Sequence, residues 1–197
     1  MYYSDGPWYH HEALNGTGYP RGLTKKDIPL SGQIIRVADE YDALVTKRHY
    51  KTHVNISETL KDMIVDTEPP KNVVALDFLK QNQHLGKINK KPLKALFKVV
   101  IDDILYEIAG ICNYINYLKD QLKRLRTVES YDKKIQAAHS ERTKEYYGAG
   151  MKMLLKPGET FENYKQLITE FSDAIVAREY RIKQLYNEIK IIKKLKV

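Results

Sequence analysis

Residues 10–20 read His-His-Glu-Ala-Leu-Asn-Gly-Thr-Gly-Tyr-Pro, and this run carries most of the functional information in the chain. Neutral imidazole suits iron, manganese, zinc or copper, and a neighbouring carboxylate favours the harder of these metals. Adjacent histidines alone are more often a surface pair, because neighbouring side chains on a helix diverge by roughly 100°. Here Asn15-Gly16 and Gly18-Tyr19-Pro20 add two turn signals that define the backbone path behind the histidines. The run therefore predicts one part of a metal site.

An apolar helix follows this run at residues 31–47, where Ser31 is the expected N-cap. Its apolar residues cover most of its circumference, which predicts burial on more than one side. Asp39 and Asp42 are three residues apart and share a face. A carboxylate on the inner side of such a helix is costly unless a positive group meets it. We therefore expect the turns around residue 18 to reverse the chain and bring Asp39 beneath His10 and His11.

The motifs from His10 onward match the pattern of a known protein family. The stretch from His10 to Lys51 closely resembles the HD-GYP domain, a subclass of the HD metal-dependent phosphohydrolases. The matching positions, all in the same order as in that family, are His10-His11-Glu12, Gly16, Gly18-Tyr19-Pro20, Arg21-Gly22-Leu23, Ile28-Pro29-Leu30, Asp39, Asp42-Ala43, Arg48, Tyr50 and Lys51. The resemblance covers roughly residues 5–82. This part of the chain is similar to the second half of such a domain.

The resemblance implies an all-α fold and a function in bacterial second-messenger signalling, the hydrolysis of cyclic di-GMP by a cluster of iron or manganese ions. It assigns roles to ten residues of this chain. The implied metal ligands are His10, His11 and Asp39. The implied outer groups, which orient a ligand or the backbone, are Glu12 and Asp42. The implied substrate-binding residues are Gly18, Tyr19, Pro20, Arg48 and Lys51.

Two departures from the family pattern affect the expected activity. Asn15 stands where the family usually has Asp, which keeps the turn chemistry but removes a charge. The family's upstream His, its His-Asp pair with a neighbouring Lys and a further His have no counterpart before His10. A metal needs about four to six donors, so three leave the cluster incomplete. Two hypotheses stay open: a fragment of a phosphohydrolase that is weak or inactive alone, and a catalytically dead interaction module acting through its C-terminal helices.

Composition narrows the setting of the protein. The single cysteine, Cys112, excludes an intrachain disulfide and predicts a reducing, cytoplasmic location. No apolar run is long enough to span a membrane. Residues 1–75 hold nine Lys/Arg and ten Asp/Glu, whereas residues 76–197 hold twenty-four and fifteen. Because acidic residues are interspersed through this basic region, a solvated helical surface is favoured over nucleic-acid binding.

Further short helices are predicted at residues 57–66, beginning at Ser57, and at residues 72–83. From residue 93 to residue 195 the chain predicts long helices with two apolar seams of alternating three- and four-residue spacing. The first seam is Ile101, Ile104, Ile108, Ile111, Ile115, Leu118, Leu122 and Leu125. The second seam is Phe161, Tyr164, Ile168, Phe171, Ile175, Arg178, Ile182, Leu185, Ile189 and Ile192.

The two seams predict coiled-coil-like packing, and a turn is expected over residues 148–158 between them. The seams can pack on one another as a hairpin, or on a second subunit or a partner protein through residues 93–195. The sequence therefore predicts two regions, a partial HD-type domain at 1–82 and a helical extension at 83–197.

Overall fold

The computed structural model describes residues 5–48, 55–67 and 86–196. The described part of the chain contains six α-helices and two isolated β-bridges, with no strand. The predicted all-α fold is therefore confirmed. The chain divides into two compact units, residues 1–104 with 187–197, and residues 105–186. The expected helix at 72–83 and the expected boundary after residue 82 lie outside the described residues. Among the described helices, none is long and apolar enough to cross a membrane.

In the first unit, α1 (Asp5–Tyr9) packs against the start of α2 (Leu30–Arg48). The close approach needs Gly32, because a Cβ at that position would lie 2.6 Å from the Cβ of Tyr9. Gln33 fixes the beginning of α2, since its side-chain amide donates to the carbonyl of Ile28 at 2.7 Å. Ser31 lies inside the helix and is not its N-cap.

The prediction that α2 is buried on more than one side is wrong for this chain. Val37 is buried, but Ile34 and Ile35 are 49% and 36% exposed. Helical periodicity identifies the apolar positions of a helix, and it does not identify which of them a neighbouring element covers.

The next helix, α3 (Ile56–Val65), begins one residue earlier than predicted. Asn55 is its N-cap, because its side-chain oxygen accepts from the backbone N–H of Glu58. Ser57, the expected first residue, instead donates its hydroxyl to Asn55 at 2.6 Å. Leu60 and Met63 are fully buried on the inner face of α3.

After α3, backbone hydrogen bonds join residues 66–67 to residues 86–88. Thr67 and Ile88 form a parallel bridge, and the N–H of Ile88 donates to the carbonyl of Asp66 at 3.1 Å. The long helix α4 (Lys90–Ala137) then begins, and its first turns bury Leu93 and Phe97 in this unit. The stretch at 86–88 is thereby held beside residues 66–67, and the N–H of Leu14 donates to the carbonyl of Lys87 at 3.0 Å.

The second unit, residues 105–186, contains most of α4, all of α5 (Glu141–Leu154) and most of α6 (Tyr164–Lys194). The two predicted seams pack on one another within this single chain, in a cluster formed by Ile115, Leu118, Leu122 and Ile175. Arg178, the polar member of the second seam, lies over the ring of Tyr114 at 4.5 Å. The hairpin arrangement is the one the structure adopts, whereas supercoiling stays a prediction.

The connection between the seams differs from the expected turn. Gly148 and Gly150 lie inside α5, and the chain turns only after Leu155. Arg124 of α4 holds that turn, because its guanidinium donates to the carbonyl of Leu154 at 2.6 Å and pairs with Glu159. Below the turn, the buried Tyr164 donates its hydroxyl to Asp132 at 2.6 Å.

Candidate metal centre

The two histidines follow α1 in a turn, so their side chains are not spread by helical geometry. Their ring centroids lie 3.8 Å apart. Asp39, on α2, lies close to both. One donor atom from each of His10, His11 and Asp39 lies within 4.8 Å of the others. The convergence predicted from the sequence is therefore present. Within the described residues, this is the only group of three or more such side chains close enough to hold a metal ion.

His10 is oriented by the turn of α1. Its Nδ1 atom lies 2.5 Å from the carbonyl oxygen of Pro7. Because a carbonyl only accepts, this contact places the proton on Nδ1 and leaves the lone pair on Nε2. Histidines that bind metals usually donate their second ring N–H in this way. The donor set and this orientation fit a divalent metal, although three side chains supply only part of a coordination shell.

Residues 10–24, which we call the histidine loop, are held by the buried carboxylate of Glu12. Its two oxygens accept from the backbone N–H groups of Arg21 and Leu23, each at 2.8 Å. Glu12 is only 1% exposed. A carboxylate is buried at this depth only when it is well paired. Of the two predicted roles for Glu12, orienting an imidazole or orienting the backbone, these contacts match the second.

Gly18 allows the histidine loop to fold back on itself. A Cβ at this position would lie 2.2 Å from the backbone nitrogen of Ala13 and 2.5 Å from the Cα of Glu12. The N–H of Tyr19 donates to the carbonyl of His11 at 3.3 Å, and the Tyr19 ring stacks on His11 at 4.7 Å. The peptide bond between Tyr19 and Pro20 is cis. Tyr19 is therefore positioned directly beside the metal-ligand candidates.

Asn15 keeps the turn chemistry expected of it. Its side-chain oxygen accepts from both the backbone N–H and the hydroxyl of Thr17, at 3.1 and 2.7 Å. The loss of charge at this position is thus compatible with an ordered loop.

A cavity of about 430 Å³ opens in front of the ligand candidates. It is lined by His10, His11, Ala13, Thr17, Gly18, Tyr19, Arg36, Asp39, Glu40 and Lys87. Of the described residues assigned by resemblance, Glu12, Pro20 and Asp42 do not line it. Glu12 is buried, whereas Pro20 and Asp42 are exposed. The Arg48 side chain and the whole of Lys51 lie outside the described residues.

Three charged residues at this cavity were missed in the sequence. Arg36 donates to the backbone carbonyls of His10 and Glu12, at 3.4 and 3.1 Å, and lies 3.8 Å from Glu40. Arg36 lies three residues before Asp39 and four before Glu40, and these spacings give a helical signal that could have identified both residues. Lys87 lies in a segment far from α2 in the sequence, and no local spacing predicts its place at the cavity.

Burial raises the pKa of the Glu40 carboxyl, and the hydrogen-bonded Asp66 raises it further. The positive charges of Arg36 and Lys87 act in the opposite direction. The cavity therefore combines the metal-ligand candidates with two positively charged residues, Arg36 and Lys87, and with the carboxyl group of Glu40.

Comparisons with known proteins match the segment that carries these ligand candidates. A family model described as an HD domain matches residues 5–68. A cyclic di-GMP phosphodiesterase of Thermotoga maritima is 46% identical over 54 residues, which is 27% of this chain and 15% of that protein. A probable cyclic di-GMP phosphodiesterase of Vibrio cholerae is 49% identical over 49 residues, covering 25% and 11%.

A third relative, a 3'3'-cGAMP-specific phosphodiesterase 2 of Vibrio cholerae, is 55% identical over 42 residues, covering 21% of this chain and 8% of that protein. The chain thus matches only a small part of the length of these relatives. No solved structure matches the chain. The family match, the names of the relatives and the order of the motifs lead to one conclusion. Residues 5–68 of this chain match an HD domain, and the motifs and the relatives support the HD-GYP type.

Proposed function

We propose that this chain is part of a metal-dependent phosphohydrolase that acts on a cyclic dinucleotide such as cyclic di-GMP. The observation that carries the proposal is the convergence of His10, His11 and Asp39 within 4.8 Å at the edge of an open cavity. The names of the relatives, which include cyclic di-GMP and 3'3'-cGAMP phosphodiesterases, support this substrate class.

On this proposal, His10 Nε2, His11 and Asp39 hold divalent metal, iron or manganese being suited to a mixed imidazole and carboxylate set. Bound divalent metal would lower the pKa of a water and stabilise charge on the phosphodiester. The protein contributes orientation. Pro7 fixes the ring of His10, while Glu12 and Arg36 hold the backbone of the histidine loop.

Substrate contacts are proposed for the rim of the cavity. Gly18, Tyr19 and Pro20 would shape the pocket, and the half-exposed ring of Tyr19 offers a face to a base. Arg48 and Lys51 would meet phosphate or guanine, and the guanidinium of Arg48 can grip either in a bidentate way. Asp42 would orient a neighbouring group. We also propose a cytoplasmic location, and dimerisation or partner binding through residues 93–195.

Three ligands from two short segments are too few to hold a metal cluster in a fixed geometry. We therefore expect the chain alone to hydrolyse cyclic di-GMP poorly or not at all. The test is to add the region that precedes the matched segment in the Thermotoga maritima relative, covalently or as a separate chain, with Fe²⁺ or Mn²⁺. Recovered hydrolysis that His10→Ala or Asp39→Ala abolishes would support the proposal, and robust turnover by the unmodified chain would contradict the expected inactivity.

A second candidate function is a non-catalytic interaction module. It is favoured by the size of the cluster, since the described residues supply three candidate ligands and no fourth. Metal analysis of the purified protein separates the two. Near-stoichiometric iron or manganese supports the hydrolase fragment, and its absence supports the interaction module.

A further inference from the structure

Lys87 lies at the metal-ligand cavity although it lies outside the segment that matches the HD family. The family match ends at residue 68, and Lys87 precedes the long helix α4. Yet Lys87 lines the same cavity as His10, His11 and Asp39. A part of the chain with no counterpart in the family match therefore contributes a cation to the site.

The main chain of Lys87 is fixed from two sides. Its N–H donates to the carbonyl of Asp66 at 3.0 Å, and its carbonyl accepts from the N–H of Leu14 at 3.0 Å. The adjacent Ile88 is 1% exposed and anchors the stretch in the core of this unit. Because Leu14 belongs to the histidine loop, Lys87 is tied directly to the segment that carries the ligand candidates.

The cavity has two strongly basic side chains, and they are engaged differently. Arg36 donates to two backbone carbonyls of the histidine loop, which makes it a clamp for that loop. Lys87 is half-buried, and its main chain is held by the two backbone hydrogen bonds. Its charge acts on Glu40, but an ammonium group carries three donors and can meet a carboxylate and a second anion together.

We propose that Lys87 is a substrate-positioning residue that binds a phosphate group of the substrate in this cavity. The inference rests on the proposed phosphohydrolase function and adds to it a residue outside the family segment. Asp39 and Glu40 place two carboxyl groups at the cavity, so a dianionic substrate needs a cation near them to offset repulsion. The competing role is purely structural, with Lys87 serving only to balance the charge of Glu40.

The experiment compares the full wild-type chain with Lys87→Gln, Lys87→Arg and Lys91→Gln, all loaded with Mn²⁺. Lys91 is exposed, lies four residues away and does not line the cavity, so it is the matched control. Binding of cyclic di-GMP is measured by calorimetry at several salt concentrations. Binding of inorganic phosphate is measured separately, through the relaxation of its phosphorus signal by the bound Mn²⁺.

Loss of one charge-assisted contact should weaken cyclic di-GMP binding about tenfold or more in Lys87→Gln, and reduce its salt dependence. Lys87→Arg should retain binding to within about threefold, because it keeps the positive charge. Lys91→Gln should match the wild type. If Lys87 only balances the charge of Glu40, Lys87→Gln will instead lower thermal stability and leave both affinities unchanged. That result would overturn the inference.

The two probes distinguish this inference from the proposed function. If phosphate binds in a Lys87-dependent way and cyclic di-GMP does not bind, the substrate class is wrong and the phosphate contact stands. If both bind and neither depends on Lys87, the inference is wrong and the function stands. If the wild type binds neither, the inference is wrong, and the proposed function is judged by the experiment that adds the preceding region.

A measurement on the wild type alone covers the case in which Lys87→Gln does not fold. Acetylation of Lys87 and Lys91 is followed by mass spectrometry with and without cyclic di-GMP or inorganic phosphate. Protection of Lys87 by either anion, with Lys91 unaffected, is the expected result. Equal acetylation of Lys87 in all conditions would overturn the inference.

Discussion

The histidine loop and the helical unit of residues 105–186 are stabilised by different means. The loop has irregular backbone, and its polar groups need dedicated partners, which Glu12 and Arg36 provide. The helices satisfy their own backbone, so their packing depends on apolar side chains such as Leu125 and Leu185, both at most 1% exposed. A site built on a loop therefore depends on individual residues, whereas the packing of a helix pair depends on the regular spacing of apolar residues along the sequence.

The strongest test of this contrast is Gly18→Ala in the loop. The new Cβ would overlap the backbone of Glu12 and Ala13, which cannot move without displacing His11. We expect a loss of about 3 kcal/mol or more in the stability of this unit, with loss of metal binding. Urea unfolding and metal titration would check both. A Gly18→Ala variant that is as stable as the wild type would show that the loop is not tightly specified.

In the helical unit, a large effect is expected at a polar contact. Arg124→Ala removes the guanidinium that joins Leu154 and Glu159, whose side chain is only 11% exposed. Leaving that carboxylate without its partner should cost about 3 kcal/mol. Lys133→Ala, which removes an exposed pair with Glu129, is the control and should cost less than about 0.5 kcal/mol. Equal effects of the two variants in urea unfolding would refute the ranking.

The same pair predicts a pH dependence confined to the helical unit. The hydrogen bond from Arg124 holds the pKa of the Glu159 carboxyl below its usual value. Its contribution to stability is therefore complete above the usual pKa of about 4.3 and is lost as pH falls through the lower, folded-state value. Glu159→Gln should lower stability at pH 7 and have a smaller effect at pH 3. An effect that does not change with pH would contradict this assignment.

The smallest expected effect is a gain in stability at a helical glycine. Gly110 lies inside α4, and a Cβ there would have no neighbouring atom within 4 Å. Gly110→Ala should stabilise the helical unit by about 0.5 to 1 kcal/mol, since alanine lowers the entropy of the unfolded chain. Thermal unfolding would measure it. A destabilisation at Gly110 as large as that expected at Gly18 would remove the contrast between the two regions.

Much of the fold could be predicted because it follows from local patterns in the amino-acid sequence. The two seams predicted the helix pair, and the order of motifs from His10 to Asp39 predicted the convergence of the ligand candidates. The N-cap at Asn55 was missed because Ser57 two residues later offers the same chemistry. Gly148 and Gly150 were expected in a turn, although glycine also occurs within helices when flanking residues favour them.

What could not be predicted depends on contacts between distant segments. The packing of the two seams on one another rests on tertiary contacts such as that of Arg178 on Tyr114, 64 residues apart. The exposed Ile34 follows the same periodicity as the buried Val37, so the pattern cannot separate them. Lys87 reaches the cavity through backbone bonds to Leu14 and Asp66, which no sequence spacing encodes.

The proposed function depends on the binding of a divalent metal by His10, His11 and Asp39 together. The most direct measurement is Mn²⁺ binding by the full chain, followed by electron paramagnetic resonance with detection of nitrogen coupling from imidazole. We expect near-stoichiometric binding with histidine nitrogen coupling, which is lost in His10→Ala and Asp39→Ala. It is retained in His139→Ala, because His139 is exposed in the helical unit. Absence of bound Mn²⁺ in the wild type, or binding that survives both His10→Ala and Asp39→Ala, would contradict it.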